Sequence, residues 1–411
     1  MLIRDIGRLV IVPPGPLVGA QMREIQTLPN AALLVKDGKI AWFGEQKNAP
    51  NAPDDEILSA EGGCVIPGLI DCHTHIPFAG ERSDEFVRRV AGESYLSIMQ
   101  AGGGIRVTTR AVREASEDEL VNINLPRLAR ILRDGVTTVE CKSGYGLTVD
   151  DELKQLRAIR RLAAMQPIEL VPTYLGAHAV PAEFEGDADG FIERIASADV
   201  MQRVADERLA RFCDVFCDRG ALNVDQARRV LERGKAAGLR PKLHADELAQ
   251  IGASRLAGEV GAVSADHLEQ IDDAGIAAMK AAGVVAVALP GTSFFLGIEH
   301  CDARRMIEAG LAVAVATDYN PGSCHIESLP FVMSIACCQL RMTPVETLAA
   351  VTANAAAAIG EQARIGAIAI GHDADLVVLD TPTLEAWFYS PGRNRVRVVV
   401  KAGKVVGDQR V

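Results

Sequence analysis

The stretch CVIPGLIDCHTH, residues 64–75, is an apolar run that ends in two histidines one residue apart. Alternate side chains of an extended strand point to the same side, so His73 and His75 are predicted to face one interior. Two buried imidazoles without partners would carry a large cost for unpaired polar groups, and a bound metal ion removes that cost. The stretch therefore predicts a buried strand that ends in two metal ligands.

Two later apolar runs end in side chains of similar chemistry. One ends in the imidazole of His244 and the other, residues 314–317, in the carboxylate of Asp318. Taken singly, His244 is also explained as a hydrogen-bonded core histidine and Asp318 as a helix cap. Three nitrogens and one oxygen form a ligand set that suits zinc or iron. We therefore predict one zinc or iron ion per chain, held by His73, His75, His244 and Asp318.

The middle of the chain alternates short apolar runs with helical patterns, which predicts βαβ units and a parallel sheet. In an eight-stranded parallel barrel the carboxyl ends of all strands share one face, where catalytic residues collect. Five of the eight histidines fall at the ends of the candidate strands, a distribution that favours such a face. The eight candidate strands are 64–75, 136–142, 169–178, 211–217, 241–244, 263–267, 284–290 and 311–318.

The two ends of the chain share a different pattern. Apolar runs flank Asp37-Gly38, a strong hairpin signal, and similar runs flank Gly403. Neither end is long enough to bury a core alone, so the two are predicted to pair. The expected fold is α/β: a (β/α)8 TIM-like barrel over residues 64–364 and a small β-sandwich domain built from residues 1–63 and 365–411.

Composition restricts the class of protein. The chain is 48% hydrophobic and 24% charged, as in ordinary globular proteins, and its net charge of −11 argues against a nucleic-acid surface. No apolar run approaches the roughly 18 residues of a membrane span, and the first residues lack the pattern of a signal peptide. A cytoplasmic protein without nucleic-acid or membrane partners is expected.

Three further residues at strand ends suggest chemistry. Glu247 lies three residues beyond His244, where a carboxylate can reach water near the metal without being a ligand; it is also explained as an acid in the first turn of a helix. His267 ends the sixth candidate strand and is predicted to overhang the same water. Lys142 ends the second strand and raises the idea of a carbamylated lysine bridging two metals. The fourth strand, 211–217, offers no lysine or histidine to support it.

With these residues the chain resembles the amidohydrolase superfamily and, more narrowly, the imidazolonepropionase family within it. The broad resemblance rests on PGLIDCHTH (residues 67–75) together with His244, His267 and Asp318. The narrow one rests on segments such as ECKSGYGL (140–147) and ATDYNPG (316–322). The pair Ile76-Pro77 departs from the more aliphatic pair expected after the two histidines, but it touches no proposed ligand.

The resemblance implies hydrolysis of the cyclic amide of 4-imidazolone-5-propanoate to N-formimidoyl-L-glutamate in histidine degradation. Glu247 and His267 are the candidates to orient and deprotonate water. Arg82 suits a carboxylate through a two-pronged hydrogen bond, and the resemblance implies that it holds the propionate tail. It is otherwise explained as a solvated partner of Glu81 or Asp84. The rest of the expected pocket is formed by Tyr145, His178, Asn320, Gly322 and Ser323.

Two other functions fit part of the pattern. An aminohydrolase that deaminates a heteroaromatic base uses the same ligands and the same glutamate, although an arginine dedicated to a carboxylate would be out of place there. A non-enzymatic scaffold of the dihydropyrimidinase-related kind loses the metal ligands, whereas every ligand position is filled here. The expected partner is a small-molecule substrate, and a homodimer is an open expectation.

Overall fold

The computed structural model describes residues 1–53, 56–93, 97 and 102–409, and its strands form two separate sheets. The first strands of the chain belong to a sheet built from both termini. They are β1 (Leu2–Ile11), β2 (Gln26–Lys36), β3 (Lys39–Glu45), β4 (Ile57–Ser59) and β5 (Cys64–Pro67).

Eight parallel strands then follow one another, in sequence order, around a barrel. They are β6 (Leu69–Asp71), β7 (Val136–Lys142), β8 (Glu169–Ala177), β9 (Phe212–Cys217), β10 (Arg240–Ala245), β11 (Ser264–His267), β12 (Val285–Ala288) and β13 (Val313–Val315). The barrel closes just beyond β6 and β13. There the Asp318 N–H donates to the His73 carbonyl at 3.0 Å, and the His75 N–H donates to the Tyr319 carbonyl at 3.0 Å.

Helices cover the outside of the barrel, and polar caps fix where several of them begin. Ser116, for example, accepts a hydrogen bond from the Glu119 N–H, and the Glu119 carboxylate accepts one from the Ser116 N–H in return. In the part of the chain that the structure describes, the α-helices before the terminal segment are Ser83–Val90, Ile105–Glu114, Glu117–Arg133, Val149–Met165, Ala188–Ile195, Ala198–Asp206, Val224–Ala236, Ala253–Val260, Asp273–Ala282, Pro290–Leu296, Ala303–Glu308, Leu329–Gln339, Pro344–Ala350 and Ala353–Ala358. None of the helices in the described ranges has the length and apolar character that a membrane crossing needs.

The last strands return to the terminal sheet: β14 (Leu376–Leu379), β15 (Val396–Lys401) and β16 (Lys404–Asp408), with a helix at Leu384–Phe388. β1 pairs with β2 in antiparallel fashion and with β4 and β5 in parallel, and β14 pairs with β5. The two ends of this sheet meet, because the Ala374 N–H donates to the Gly38 carbonyl at 2.8 Å and the Gly403 N–H to the Ala374 carbonyl at 3.0 Å. The sheet therefore folds over its own core.

The single strand predicted over residues 64–75 is wrong in one respect. It is divided at Gly68 into β5, which lies in the terminal sheet, and β6, which begins the barrel. A side chain at Gly68 would overlap Thr137 at the start of β7, so glycine allows the chain to pass closely from one sheet to the other. The α/β fold with a (β/α)8 barrel and a terminal β domain is confirmed. We propose that the boundary between the two domains lies at Gly68 rather than at Cys64.

Candidate active site

The four predicted metal ligands lie together at the carboxyl ends of the first, fifth and eighth barrel strands. All four side chains are buried. The Nε2 atoms of His73 and His75 are 3.4 and 3.2 Å from Oδ1 of Asp318, and Nε2 of His244 is 3.4 Å from Nε2 of His75. The structure thus brings together residues that are far apart in the sequence.

The spacing of these atoms fits a metal ion. Four ligands at the usual zinc–nitrogen and zinc–oxygen bond lengths, about 2.0–2.1 Å, are about 3.3–3.4 Å apart in a tetrahedron. Among the described residues, the buried atoms Nε2 of His73 and Oδ1 of Asp318 have no hydrogen-bond partner. Orphaned polar atoms in a buried cluster are expected where a cation binds. The chemistry of these residues and the 3.2 to 3.4 Å contacts of His75 with Asp318, His73 with Asp318 and His244 with His75 therefore fit a transition-metal site.

Two carboxylates behind the histidines orient the imidazoles. Nδ1 of His73 is 2.6 Å from Oδ2 of Asp266, and Nδ1 of His244 is 3.2 Å from Asp214. An imidazole that donates from Nδ1 keeps its lone pair on Nε2, the atom that faces Asp318 in His73 and His75 in His244. Asp318 in turn accepts a hydrogen bond from Thr292 Oγ1 at 2.6 Å. The sequence reasoning missed these supporting residues, although a carboxylate inside a predicted buried strand signals a buried partner.

A buried cluster of charges lies beneath the ligands. Lys142 Nζ is 2.8 Å from Asp214, 3.0 Å from Glu140 and 3.6 Å from Asp266, and Lys242 Nζ is 2.7 Å from Glu140. Burial opposes the charge on Lys142, but the neighbouring carboxylates, led by Asp214, outweigh it and hold its pKa well above the usual range. Lys142 is therefore a charged counter-ion of the supporting carboxylates. A charged, paired ammonium group argues against a carbamylated lysine that bridges two metals.

An acid and a neutral imidazole lie beside the ligand cluster. Oε2 of Glu247 is 3.7 Å from Nε2 of His267. Burial, followed by the charges of Glu269 and Asp318, raises the pKa of Glu247 well above its usual range. Burial lowers the pKa of His267 to about 4, so this imidazole is neutral near pH 7. Such a pair can take up and release a proton.

Glu269 is a further site residue that the sequence reasoning missed. Its Oε2 lies 3.8 Å from Nδ1 of His267, on the side of the ring opposite Glu247, and its Oε1 accepts a hydrogen bond from Ser293 at 3.1 Å. Burial raises the pKa of Glu269 to about 8. The only signal in the sequence was its position two residues beyond the end of β11.

His178 and Tyr145 form one side of the site. The His178 ring is stacked on the His75 ring with 5.1 Å between centroids, and the Tyr145 ring is 5.6 Å from the same histidine. Nδ1 of His178 is 2.9 Å from the Gly144 carbonyl, and burial lowers the pKa of His178 to about 3. These two residues present a neutral ring face and a phenol next to the ligand cluster.

Arg82 has an internal partner that the sequence reasoning did not identify. Its Nε and Nη2 donate to Oε2 of Glu85 at 3.0 and 2.7 Å, and its side chain is 10% exposed. The alternative of a solvated pair with Glu81 or Asp84 is therefore wrong. The burial of the Arg82 guanidinium does not by itself require an anion from a substrate, because Glu85 supplies one. The spacing of three residues at the start of helix Ser83–Val90 was the available signal.

The loop after Asp318 completes the predicted pocket. Asn320 donates from Nδ2 to the Asp318 carbonyl at 2.7 Å, and its Oδ1 accepts from the N–H groups of Gly322 and Ser323 at 2.8 Å each. A side chain at Gly322 would overlap Nη1 of Arg82. Asn320 thus connects the loop to Asp318, a predicted ligand, and glycine lets that loop approach the guanidinium.

Comparison with known proteins places this site in a family. Residues 64–406 match the pattern described as the amidohydrolase family. The chain is 48% identical to an imidazolonepropionase of Shouchella clausii, over 95% of this chain and 88% of that protein. The chain belongs to the amidohydrolases, and among them to the imidazolonepropionases. An imidazolonepropionase of Geobacillus sp. is 47% identical over 99% of this chain and 97% of its own length.

Solved structures of other amidohydrolases share the fold of this imidazolonepropionase family member. A zinc-bound adenosine deaminase from Xanthomonas campestris superposes with a TM-score of 0.75 and 22% identity, over 100% of this chain and 93% of that one. A 5-methylcytosine deaminase from Klebsiella pneumoniae gives a TM-score of 0.73 at 18% identity, over 100% and 99%. At these identities the similarity concerns the fold alone, so the deaminase alternative gains no support from it.

Proposed function

We propose that this protein is a metal-dependent hydrolase that opens the cyclic amide C–N bond of 4-imidazolone-5-propanoate and forms N-formimidoyl-L-glutamate, a step of histidine degradation. The observation that carries the proposal is the close approach of the His73, His75, His244 and Asp318 side chains, with three contacts of 3.2 to 3.4 Å, near the pair formed by Glu247 and His267. The near-full-length similarity to imidazolonepropionases supports the choice of substrate.

The four ligands would hold one zinc or iron ion per chain, and such an ion polarises a carbonyl and makes water more acidic. The remaining chemistry belongs to this chain's own residues. Glu247 takes the proton from the attacking water and delivers it to the ring nitrogen as the C–N bond breaks. Burial raises the pKa of Glu247 above the usual range, which favours a carboxyl group that can hold a proton between the two steps. Neutral His267 orients the water by a hydrogen bond at Nε2.

The residues along the rim would orient the substrate. Glu85 engages Nε and Nη2 of Arg82, so Nη1, which faces Gly322, is the nitrogen that we assign to the propionate carboxylate. His178 and Tyr145 lie next to His75 and would contact the imidazolone ring. Asn320 and Ser323 would complete the pocket from the loop beyond Asp318.

Several expectations from the sequence remain part of the proposal. They are the cytoplasmic location, the homodimer, the absence of nucleic-acid partners, and the choice between zinc and iron. Elemental analysis of the purified protein counts the metal. Two equivalents per chain, both required for activity, would contradict the proposed single site.

The decisive assay supplies imidazolone propionate, freshly made from urocanate, to the purified metal-containing protein and follows the loss of ring absorbance. Glu247→Gln should retain the metal while kcat falls by a factor of roughly 10² or more, the usual scale of general acid–base help. Loss of metal in this variant would show that Glu247 is a ligand. No turnover by the native protein would refute the proposed substrate.

The role of Arg82 separates a substrate with a carboxylate tail from a bare heterocycle. Arg82→Ala should reduce kcat/KM for imidazolone propionate. The loss of transition-state stabilisation should be about 2 to 4 kcal/mol, the scale of removing one member of a buried charge pair. A tail-less imidazolone should be affected far less. Because Arg82→Ala also leaves the buried Glu85 carboxylate without its arginine partner, the double variant Arg82→Ala/Glu85→Gln is the matched control. Equal losses for both substrates would show that Arg82 is structural.

A further inference from the structure

Asp218 lies one residue beyond β9, in a turn that the structure fixes on both sides. Its N–H donates to the Leu222 carbonyl at 3.2 Å, and its carbonyl accepts from the Ala221 N–H at 3.1 Å. The residue is 2% exposed. Asp218 lies next to the segment after β10 because Cys217, the last residue of β9, pairs with Ala245, the last residue of β10. The two segments that follow these strands therefore leave the barrel side by side.

The Asp218 carboxylate collects backbone N–H groups from the segment that carries Glu247. Oδ2 accepts from the N–H groups of Glu247 and Leu248 at 2.7 and 2.8 Å, and Oδ1 accepts from those of Ala249 and Arg219 at 3.1 and 2.6 Å. Three successive N–H groups converging on one carboxylate fix the backbone dihedrals of those residues. The direction in which the Glu247 side chain leaves the backbone is then fixed as well.

Asp246 performs a complementary task on the far side of the same segment. Its carboxylate accepts from the N–H groups of Ile251, Ala253 and Ser254 at 3.1, 3.1 and 3.0 Å, and its φ of 48° turns the chain sharply after β10. Asp246 thus anchors the end of the segment to the helix Ala253–Val260. Only Asp218 contacts the N–H of Glu247 itself among the side chains of the described residues.

We infer that Asp218 is a positioning residue for catalysis, which holds the Glu247 carboxyl at the ligand cluster through the backbone of residues 247–249. The inference rests on the proposed role of Glu247. It differs from general structural support because its effect must disappear when Glu247 can no longer transfer a proton. A catalytic group displaced by about 1 Å can lose 10²-fold in rate, so an anchor of this kind has a measurable effect.

The test is a double-mutant cycle on the metal-containing protein with imidazolone propionate as substrate. Asp218→Asn keeps the size of the side chain but replaces one acceptor oxygen by an NH₂ group that opposes the converging N–H groups. We expect kcat to fall by about 10- to 100-fold, KM to change by less than about threefold, and metal content to stay constant. Asp218→Asn/Glu247→Gln should be no slower than Glu247→Gln alone.

Two further variants keep the outcome decisive. Asp302→Asn is the matched control, because Asp302 accepts from the Arg305 N–H at 3.0 Å at the start of an outer helix and should leave kcat unchanged. If Asp218→Asn does not fold, Asp218→Glu, which retains the charge but displaces the anchor, should still lower kcat selectively. An equal loss in the native and Glu247→Gln backgrounds would overturn the inference. An active Glu247→Gln would instead refute the proposed role of Glu247, and an inactive native protein would refute the proposed substrate, so these failures are distinguishable from a failure of the inference about Asp218.

Discussion

Asp266 gives the sharpest test of how carboxylates behind the proposed ligands orient them and increase their affinity for a metal ion. The carboxylate contacts Nδ1 of His73 at 2.6 Å, accepts from Ser264 Oγ at 2.6 Å and lies 3.6 Å from the Lys142 ammonium. Asp266→Asn retains an acceptor for His73 but removes the charge that makes the imidazole a stronger donor to the metal. Loss of such a supporting carboxylate commonly reduces metal affinity by about 10- to 100-fold, or about 1.4 to 2.7 kcal/mol.

The assay is competition for zinc between the metal-depleted protein and a chromophoric chelator, read without any turnover. Asp214→Asn, the corresponding change behind His244, should lower the affinity by a smaller factor because its contact is longer, 3.2 Å. The matched control Asp302→Asn should leave the affinity unchanged. An Asp266→Asn protein that binds zinc as tightly as the native chain would refute the reasoning that this carboxylate prepares His73.

Two further predictions concern stability and substrate binding. Burial opposes the charge on Glu346, but hydrogen bonds, led by those from Arg304, lower its pKa from the ordinary 4.5 to about 2. The resulting stability is present above about pH 4.5 and is lost as the pH falls toward 2. Glu346→Gln should therefore lower the free energy of unfolding in urea by about 2 kcal/mol at pH 7 and by much less at pH 3. An equal decrease at both pH values would show that the ionised carboxylate is not the source of this stability. Gly322→Ala should displace Arg82 and raise KM for imidazolone propionate by about tenfold at constant metal content. An unchanged KM would contradict the assignment of Arg82 Nη1 to the substrate carboxylate.

Much of the barrel and its ligand cluster could be predicted because strand ends in a parallel barrel share one face. That rule alone predicts that His73, His75, His244 and Asp318 lie close together. It could not show the change of sheet at Gly68, since an apolar run looks the same whether it forms one strand or two.

The residues behind the ligands were harder to predict. A charged side chain within a buried strand indicates that a partner exists, but the identity of that partner depends on which strands are neighbours. The contacts of Lys142 with Asp214 and Asp266 therefore appear only in the fold. Glu85 is a different case, because its spacing of three residues from Arg82 is visible in the sequence, although Glu81 and Asp84 lie nearer to Arg82 along the chain.

The closure of the barrel at His73 and Asp318 has a consequence for how the protein matures. The hydrogen bond that joins these residues links the first and last barrel strands, which are far apart in the sequence. Because closing such a long loop costs much conformational entropy, this contact is expected to form late in folding. During synthesis the ribosome releases His73 and His75 long before Asp318. A nascent chain therefore lacks a complete ligand set, and tight metal capture should follow barrel closure rather than guide it. An ion held by the proposed ligands would join the first barrel strand to the last and oppose opening of the barrel between them.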